Sequence, residues 1–317
     1  MAPLQRLSIS ISALLATGLL AGCGGGGGGG GAVTPTTPVV VVEAGAPVLT
    51  GDTATDGYNW FNFRRKQMGL SQLTRSTALD GVTQGHSNYM RLNTAKPDAS
   101  LHNQTSGNPG FTGVDLKARL TAASYDVPQQ GYFASEVIAA ASTPAGEVLA
   151  EELVTAIYHR FAVFEPALKE AGAGARMTSS GLTYFTTNFG ARGGIGPGVG
   201  TGKIASYPFA GQINVQTFFL SDTEAPDPIP DKNEVGYPIS VHADYNTPIV
   251  VSSFTLNPRG GAKLEVKYIA PDSDYTPVSA AAIVPMSRLS AKTVYDVSFS
   301  GTVGGAQVTQ NWSFTTR

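Results

Sequence analysis

The chain is short of the residues that most hydrolases and cross-linked exported domains depend on: its 317 residues hold one cysteine, four histidines and two tryptophans. One cysteine excludes any intramolecular disulfide. Charged residues make up 14% and the net charge is −2. Without clustered lysine or arginine, the electrostatic footprint of a nucleic-acid binder is missing. No HExxH occurs, which excludes a zincin, and no GxSxG marks a nucleophile elbow. Gly193 to Lys203 ends in Gly-Lys, but a phosphate loop needs glycine where Pro197 stands and a hydroxyl where Ile204 stands. That stretch reads as a flexible glycine loop. No internal repeat is visible.

What is present suggests two domains behind a leader, since a domain takes roughly 150 residues. Arg6 supplies a positive start, and Ile9 to Leu20 an apolar stretch too short for a lasting membrane span. Residues 1–22 therefore read as a signal peptide. It ends Leu20-Ala21-Gly22-Cys23, which resembles the lipobox of bacterial lipoproteins. That resemblance implies cleavage before Cys23, acylation of its thiol, and a membrane as partner. Several acyl chains hold firmly, each methylene adding about 0.8 kcal/mol. Gly24 is not the aspartate that resembles an inner-membrane retention signal, so the outer membrane is expected in a two-membrane organism. The glycine run Gly24–Gly31 and the prolines after it cannot offset their ordering entropy. Residues 23–50 read as a tether.

From Asp56 the texture changes. Asp56 is expected to cap a helix through Trp60 and Phe63 to Met68, with Gly69 ending it. Ser76 caps a second, whose apolar stripe is Leu79, Val82, Tyr89 and Met90. Val114, Leu116 and Leu120 suggest a third, and Ala145 to about Phe164 forms the longest helical pattern. Leu182 to Phe189 reads as a strand. A proline-rich hinge, Pro226 to Pro230, marks a boundary. Beyond it Ile249–Leu256, Lys263–Ile269, Val294–Phe299 and Gln307–Thr315 recur as strands of a small antiparallel sandwich.

Five short motifs appear in order over residues 51–190: Asn62-Phe63-Arg64-Arg65, His86-Ser87-Asn88-Tyr89-Met90, Ser100-Leu101-His102, Ser135-Glu136-Val137-Ile138 and Tyr158-His159-Arg160 with Gly172-Ala173-Gly174. Together they resemble the CAP superfamily (cysteine-rich secretory, antigen 5 and pathogenesis-related proteins), in its disulfide-free bacterial branch. Val137 stands where the family motif has asparagine. The C-terminal stretch resembles a bacterial Ig-like domain, with Leu289 to Tyr295 like the turn into a tyrosine corner and Trp312 to Thr316 like a last strand. The expected fold class is α+β: a CAP α-β-α sandwich over 51–222, a linker over 223–237, and an Ig-like β-sandwich over 238–317.

In many CAP domains two histidines and two glutamates line a groove and can bind a divalent metal. The resemblance carries that role to His102 and Glu136. The second glutamate falls at Ala156, and the late strand lacks its histidine; His159, one turn past Ala156, is the bacterial pattern's histidine. His102, Glu136 and His159 would then form a two-histidine, one-carboxylate zinc set with an open water position, and Glu136 could be the general base of a hydrolase. The competing reading makes the cluster a structural tie between loop and helix, with no cofactor, and no catalytic residue is assigned on it. His86 reads as a satisfied core histidine and His242 as an exposed strand residue. The preferred function is a non-catalytic cell-envelope lipoprotein that binds a small apolar or envelope-derived ligand in the CAP groove. The alternative is the zinc-dependent hydrolase.

Overall fold

A computed structural model describes residues 10–14, 43–95, 97–98, 100–125 and 134–317. Cys23, the glycine run and most of residues 1–22, where the signal peptide is expected, lie outside the described residues. No described helix is long and apolar enough to cross a membrane.

The fold is α+β. Five helices are α1 (Thr53–Gln67), α2 (Thr77–Leu92), α3 (Leu116–Ala122), α4 (Gly146–Thr155) and α5 (Ile157–Val163). The N-terminal strands are β1 (Ser10–Leu14), β2 (Thr74–Arg75), β3 (Ala134–Ala141), β4 (Glu170–Met177) and β5 (Thr183–Gly190). The antiparallel trio β4-β5-β3 is the centre of a six-stranded sheet. β1, from the stretch that reads as a signal peptide, lies parallel to β3 with Ser10 beside Glu136, and so forms part of the sheet.

Side chains alternate across a strand, and β3 sorts accordingly. Ile138 and Ala140 pack with Tyr89, Met90 and Leu101 on the α2 side. Val137, Ala139 and Ala141 join Phe61, Leu149 and Val163 on the side of α1, α4 and α5. The layering is α-β-α, with Glu136 on the α2 side by the same alternation. Val137, standing in place of asparagine, is fully buried on the opposite face.

Local chemistry explains the helix ends. Asp52, not Asp56, caps α1, accepting from Thr55 N at 2.8 Å. Asp56 is buried and instead holds the incoming chain through Thr50 and Gly51. Glu43 is likewise fixed by Arg64 at 2.6 Å; residues 43–50 are thus attached to the body rather than free tether. Ser76 caps α2 as expected. Gly172 and Gly174 are there for space. A Cβ on Gly172 would lie 2.3 Å from Asp80 N, and one on Gly174 2.3 Å from Gln84 N, so α2 rests directly on β4.

The long helix expected from Ala145 to Phe164 is broken. Ala156 is extended, at φ −66° and ψ 119°. Both new ends are satisfied from far away in sequence or by a side chain turned back. Arg160 Nε donates to Val154 O at 2.6 Å, at the end of α4. The Glu224 carboxylate accepts from Tyr158 N and His159 N at 2.6 and 3.0 Å, at the start of α5. Such tertiary capping leaves no local signature.

The C-terminal region is a two-sheet sandwich. It uses β6 (Ala205–Tyr207), and the chain then makes β7 (Phe218–Leu220) and returns to the N-terminal sheet as β8 (Glu224–Ala225), beside β1. After β9 (Glu234–Gly236) come β10 (Ile239–His242), β11 (Ile249–Pro258), β12 (Val266–Ile269), β13 (Ala280–Pro285), β14 (Val294–Val303) and β15 (Ala306–Thr315). One sheet runs β12-β13-β10-β6 and the other β11-β14-β15. The linker expected at 223–237 is therefore not a simple boundary: β6 precedes it yet pairs with β10, and Ile229 within it is buried. Tyr295 Oη accepts from Ser290 N at 2.8 Å, the hydrogen bond a tyrosine corner makes.

Because α2 has no clearance over β4, Gly172→Ala should destabilise the protein by about 2–3 kcal/mol through overpacking. Urea unfolding checks this; an unchanged midpoint would mean that α2 does not rest on that strand.

Candidate functional site

Glu136 sits mid-strand on β3, buried to 1% exposure, and a carboxylate there needs partners. It has two. Arg119, from α3, forks onto it with Nη2 at 2.7 Å from Oε1 and 2.8 Å from Oε2. His102 Nδ1 donates to Oε1 at 2.8 Å. The loop carrying His102 is itself tied down: Arg119 Nη1 donates to His102 O at 2.8 Å, and Ser100 Oγ, bonded to Asp98, accepts from His102 N. Burial pushes the Glu136 carboxyl up, but Arg119, then His86 and His102, outweigh it and hold it below the usual range.

His86 lies beside this group, Nε2 being 4.0 Å from Glu136 Oε1. Its ring is satisfied elsewhere. Nε2 donates to Leu101 O at 2.9 Å, and Nδ1 accepts from Gln104 Nε2 at 2.8 Å. That pattern fixes the neutral tautomer, and burial lowers its pKa to about 4. It is the core histidine expected.

His159 does not join them. It belongs to α5, on the other side of the sheet, where Nδ1 donates to Glu224 Oε1 at 2.9 Å. Glu136 and Glu224 are two strands apart across β1, offset by three residues in register, or on the order of 10 Å in each direction. Sheet and distance both separate His159 from the His102–Glu136 pair. Among the described residues no group of three His, Cys, Asp or Glu side chains is arranged to hold a metal ion. The donor set also argues against zinc, because a guanidinium already neutralises both Glu136 oxygens. The residues present do not fit that ion.

Two further polar groups stand out. Asn188 lies directly across from Glu136 in the β3–β5 register, fully buried, with neither amide atom hydrogen-bonded. Glu224 Oε2 and His159 Nε2 are likewise buried without a hydrogen-bond partner. His242 corrects an expectation: it is buried at 2% exposure, its Nε2 is 3.0 Å from Ser240 Oγ, and burial lowers its pKa to about 3. It faces the aromatic rings of Phe161 and Phe164, on the interior side of β10.

The sequence reading missed Arg119 and Glu224. Arg119 had a signal: Leu116, Arg119 and Leu120 share the i, i+3, i+4 stripe of α3, so a charge was being drawn inward. Glu224, in a two-residue strand, had none.

No family model matches the chain, and no curated protein does. Two solved structures are similar in part. An extracellular protein containing a SCP domain from Bacillus anthracis is 21% identical, over 44% of this chain and 40% of that one, at a TM-score of 0.34. The chain thus spans well under half of that protein's length. An outer surface protein from Borrelia burgdorferi is 17% identical, over 46% of this chain and 96% of that one, at a TM-score of 0.35.

Two predictions follow from the buried groups. Arg119→Met should cost about 3–5 kcal/mol in urea unfolding, because it strands a buried carboxylate; a loss below about 1 kcal/mol would contradict the tie. Acid should also destabilise the protein. Between pH 6.5 and 4 the unfolded chain binds protons that His86 and His242 refuse when folded, so stability falls as pH drops. Glu165, pushed up by burial to about 7, works the other way: the folded state gains its proton between pH 7 and 4.5. Two histidines outweigh one glutamate. Unfolding midpoints from pH 7 to 4 should fall, and fall more steeply in Glu165→Gln.

Proposed function

We propose that this chain is an exported, lipid-anchored cell-envelope protein whose N-terminal half is a CAP-type domain acting as a non-catalytic binding module. The ordered motifs from Asn62 to Gly174 and the α-β-α layering support the domain reading, and the lipobox-like end at Cys23 supports the anchor. The observation that carries the non-catalytic reading is the Arg119 fork on Glu136. A general base must meet its substrate with a pKa raised toward the working pH, and a zinc ligand must offer charge that no other cation has neutralised, whereas Glu136 is buried, paired with a guanidinium and held below the usual carboxylate range. Here the guanidinium takes the place of an external cation, so the cluster ties the His102 loop and α3 to the sheet. The groove that the CAP resemblance implies would then hold a small apolar or envelope-derived molecule by contact alone, while the C-terminal sandwich, Ig-like in its tyrosine corner, serves as spacer or adhesion surface.

The test is calorimetry of the mature chain with zinc. No submicromolar one-to-one binding is expected, and His102→Ala should only lower stability. Tight binding abolished by His102→Ala, together with hydrolysis of an ester, peptide or glycan lost in Glu136→Ala, would replace this reading with a metal-dependent hydrolase. For the anchor, Cys23→Ser should abolish labelling by radioactive palmitate and release the protein from membranes; labelling that persists would sink it.

A further inference from the structure

Large apolar side chains scattered singly over a surface are ordinary. In the N-terminal half they are not scattered. Of the eight that stand exposed before residue 200 among the described residues, six gather at one end of the α-β-α sandwich: Val48, Leu49, Leu92, Phe111, Val148 and Met177. The fold brings them there. Met177, Thr183 and Ala141 form one row across the end of the sheet. Gly146, which opens α4, rests on Thr53 and Gly57 in the first turns of α1, and Thr53 Oγ1 donates to Pro144 O at 2.6 Å. Val148 and the incoming Val48-Leu49 therefore lie at that end too. α2 finishes beside them, because Thr94 Oγ1 is 2.7 Å from Tyr184 Oη, near the start of β5. A Cβ on Gly110 would lie 3.0 Å from Leu92, which sets Phe111 next to that leucine.

Charge and chain length select what covers this end. The loops that close it, 142–145 and 178–182, contain no charged residue, and their exposed hydroxyls suit a polar headgroup layer. Arg91 and Arg176 stand at the rim, where basic side chains favour anionic lipid. Of the acids at the start of α1, Asp52 caps the helix and Asp56 is buried. The other end of α4 is taken by the C-terminal sandwich, through Arg160 on Val154 O and Pro238 O. Glu43 is held near the last turn of α1 by Arg64, about one helix length, roughly 22 Å, from the apolar end. The roughly 20 residues between Cys23 and Glu43 can reach at most about 70 Å, so an anchor at Cys23 keeps a bilayer within range. Six tips spread over three layers also suit a deformable surface better than a rigid partner.

We propose that this apolar end rests on the surface of the membrane that holds the Cys23 anchor, so that the sandwich at the opposite end is presented away from the lipid. The inference rests on the lipid-anchor reading and adds an orientation to it.

The experiment uses the full chain acylated at Cys23, in vesicles of phosphatidylcholine and phosphatidylglycerol with or without bromine on the acyl chains. Val48 is 88% exposed, so Val48→Trp should fold like the parent, whose buried Trp60 and Trp312 set the background. Its emission should fall about twofold in brominated lipid, because side chains at such a surface sit ~5–10 Å into the headgroup and acyl boundary. Tyr268→Trp, exposed on β12 of the sandwich, should be unaffected. Adding Met177→Asp and Val148→Asp to Val48→Trp should abolish the quenching while the protein still floats with the vesicles. Three results would overturn the proposal: a floating chain with Val48→Trp unquenched, equal quenching at Tyr268→Trp, or quenching that survives the two aspartates. The first leaves the anchor standing and points to a protein partner for the apolar end. A chain that does not float has no anchor, and the proposal falls with that reading.

Discussion

Arg160 is fully buried, and a guanidinium taken out of water must find acceptors for its five N–H groups. It finds them at the ends of other elements. Nε and Nη2 reach Val154 O and Thr155 O, the last carbonyls of α4, while Nη1 reaches Pro238 O just before β10 at 2.7 Å. The rings of Tyr207 and Tyr237 flank it, each centroid 5.0 Å away. One side chain therefore settles where α4 stops, how α5 leaves it, and where the C-terminal sandwich meets the helical layer. Without it, the buried carbonyls of Val154 and Thr155 at the break would lose their side-chain donor.

The same device recurs. Arg64 joins Glu43 to Glu151, and Arg65 donates to Ser71 O, Val163 O and Glu165 O. Arg119 binds His102 O and Glu136. A chain with one cysteine has no disulfide to staple loops to its sheet, and buried arginines take over the geometric part of that work. The cost is that each staple is as fragile as its partner: removing one acceptor leaves a charge in a low dielectric, which is worse than an apolar replacement of both.

Elements governed by neighbours in sequence were legible, and elements governed by distant chain were not. Ser76 and Gly69 act as the local rules require, β14 follows its alternation, and β5, buried along its whole length, was legible from its aromatic and β-branched residues. The α-β-α layering came through resemblance rather than through periodicity. The break at Ala156 was hidden, because Leu149, Leu153 and Ile157 continue a helical stripe straight through it, and the groups that satisfy it come from Glu224 and from Arg160. His242 looked exposed because a short strand gives no sign of which sheet will cover it. At the candidate site, pairing His102 with Glu136 was readable from the motif order. Separating them from His159 required knowing which side of the sheet α5 packs on, and a helical stripe alone says nothing of that.

The strand Ser10–Leu14 belongs to the part of the chain that cleavage before Cys23 would discard. In the uncleaved chain it stands between β3 and β8, hydrogen-bonded to both. Its loss would do more than shorten the protein. Two strand edges would face each other across a gap one strand wide, and β8, which carries the Glu224 cap of α5, would be left with no neighbour in that sheet. Export would then be a change of thermodynamic identity: the precursor and the secreted form would share a core but not a hydrogen-bond inventory, and stability measured on one would not transfer to the other.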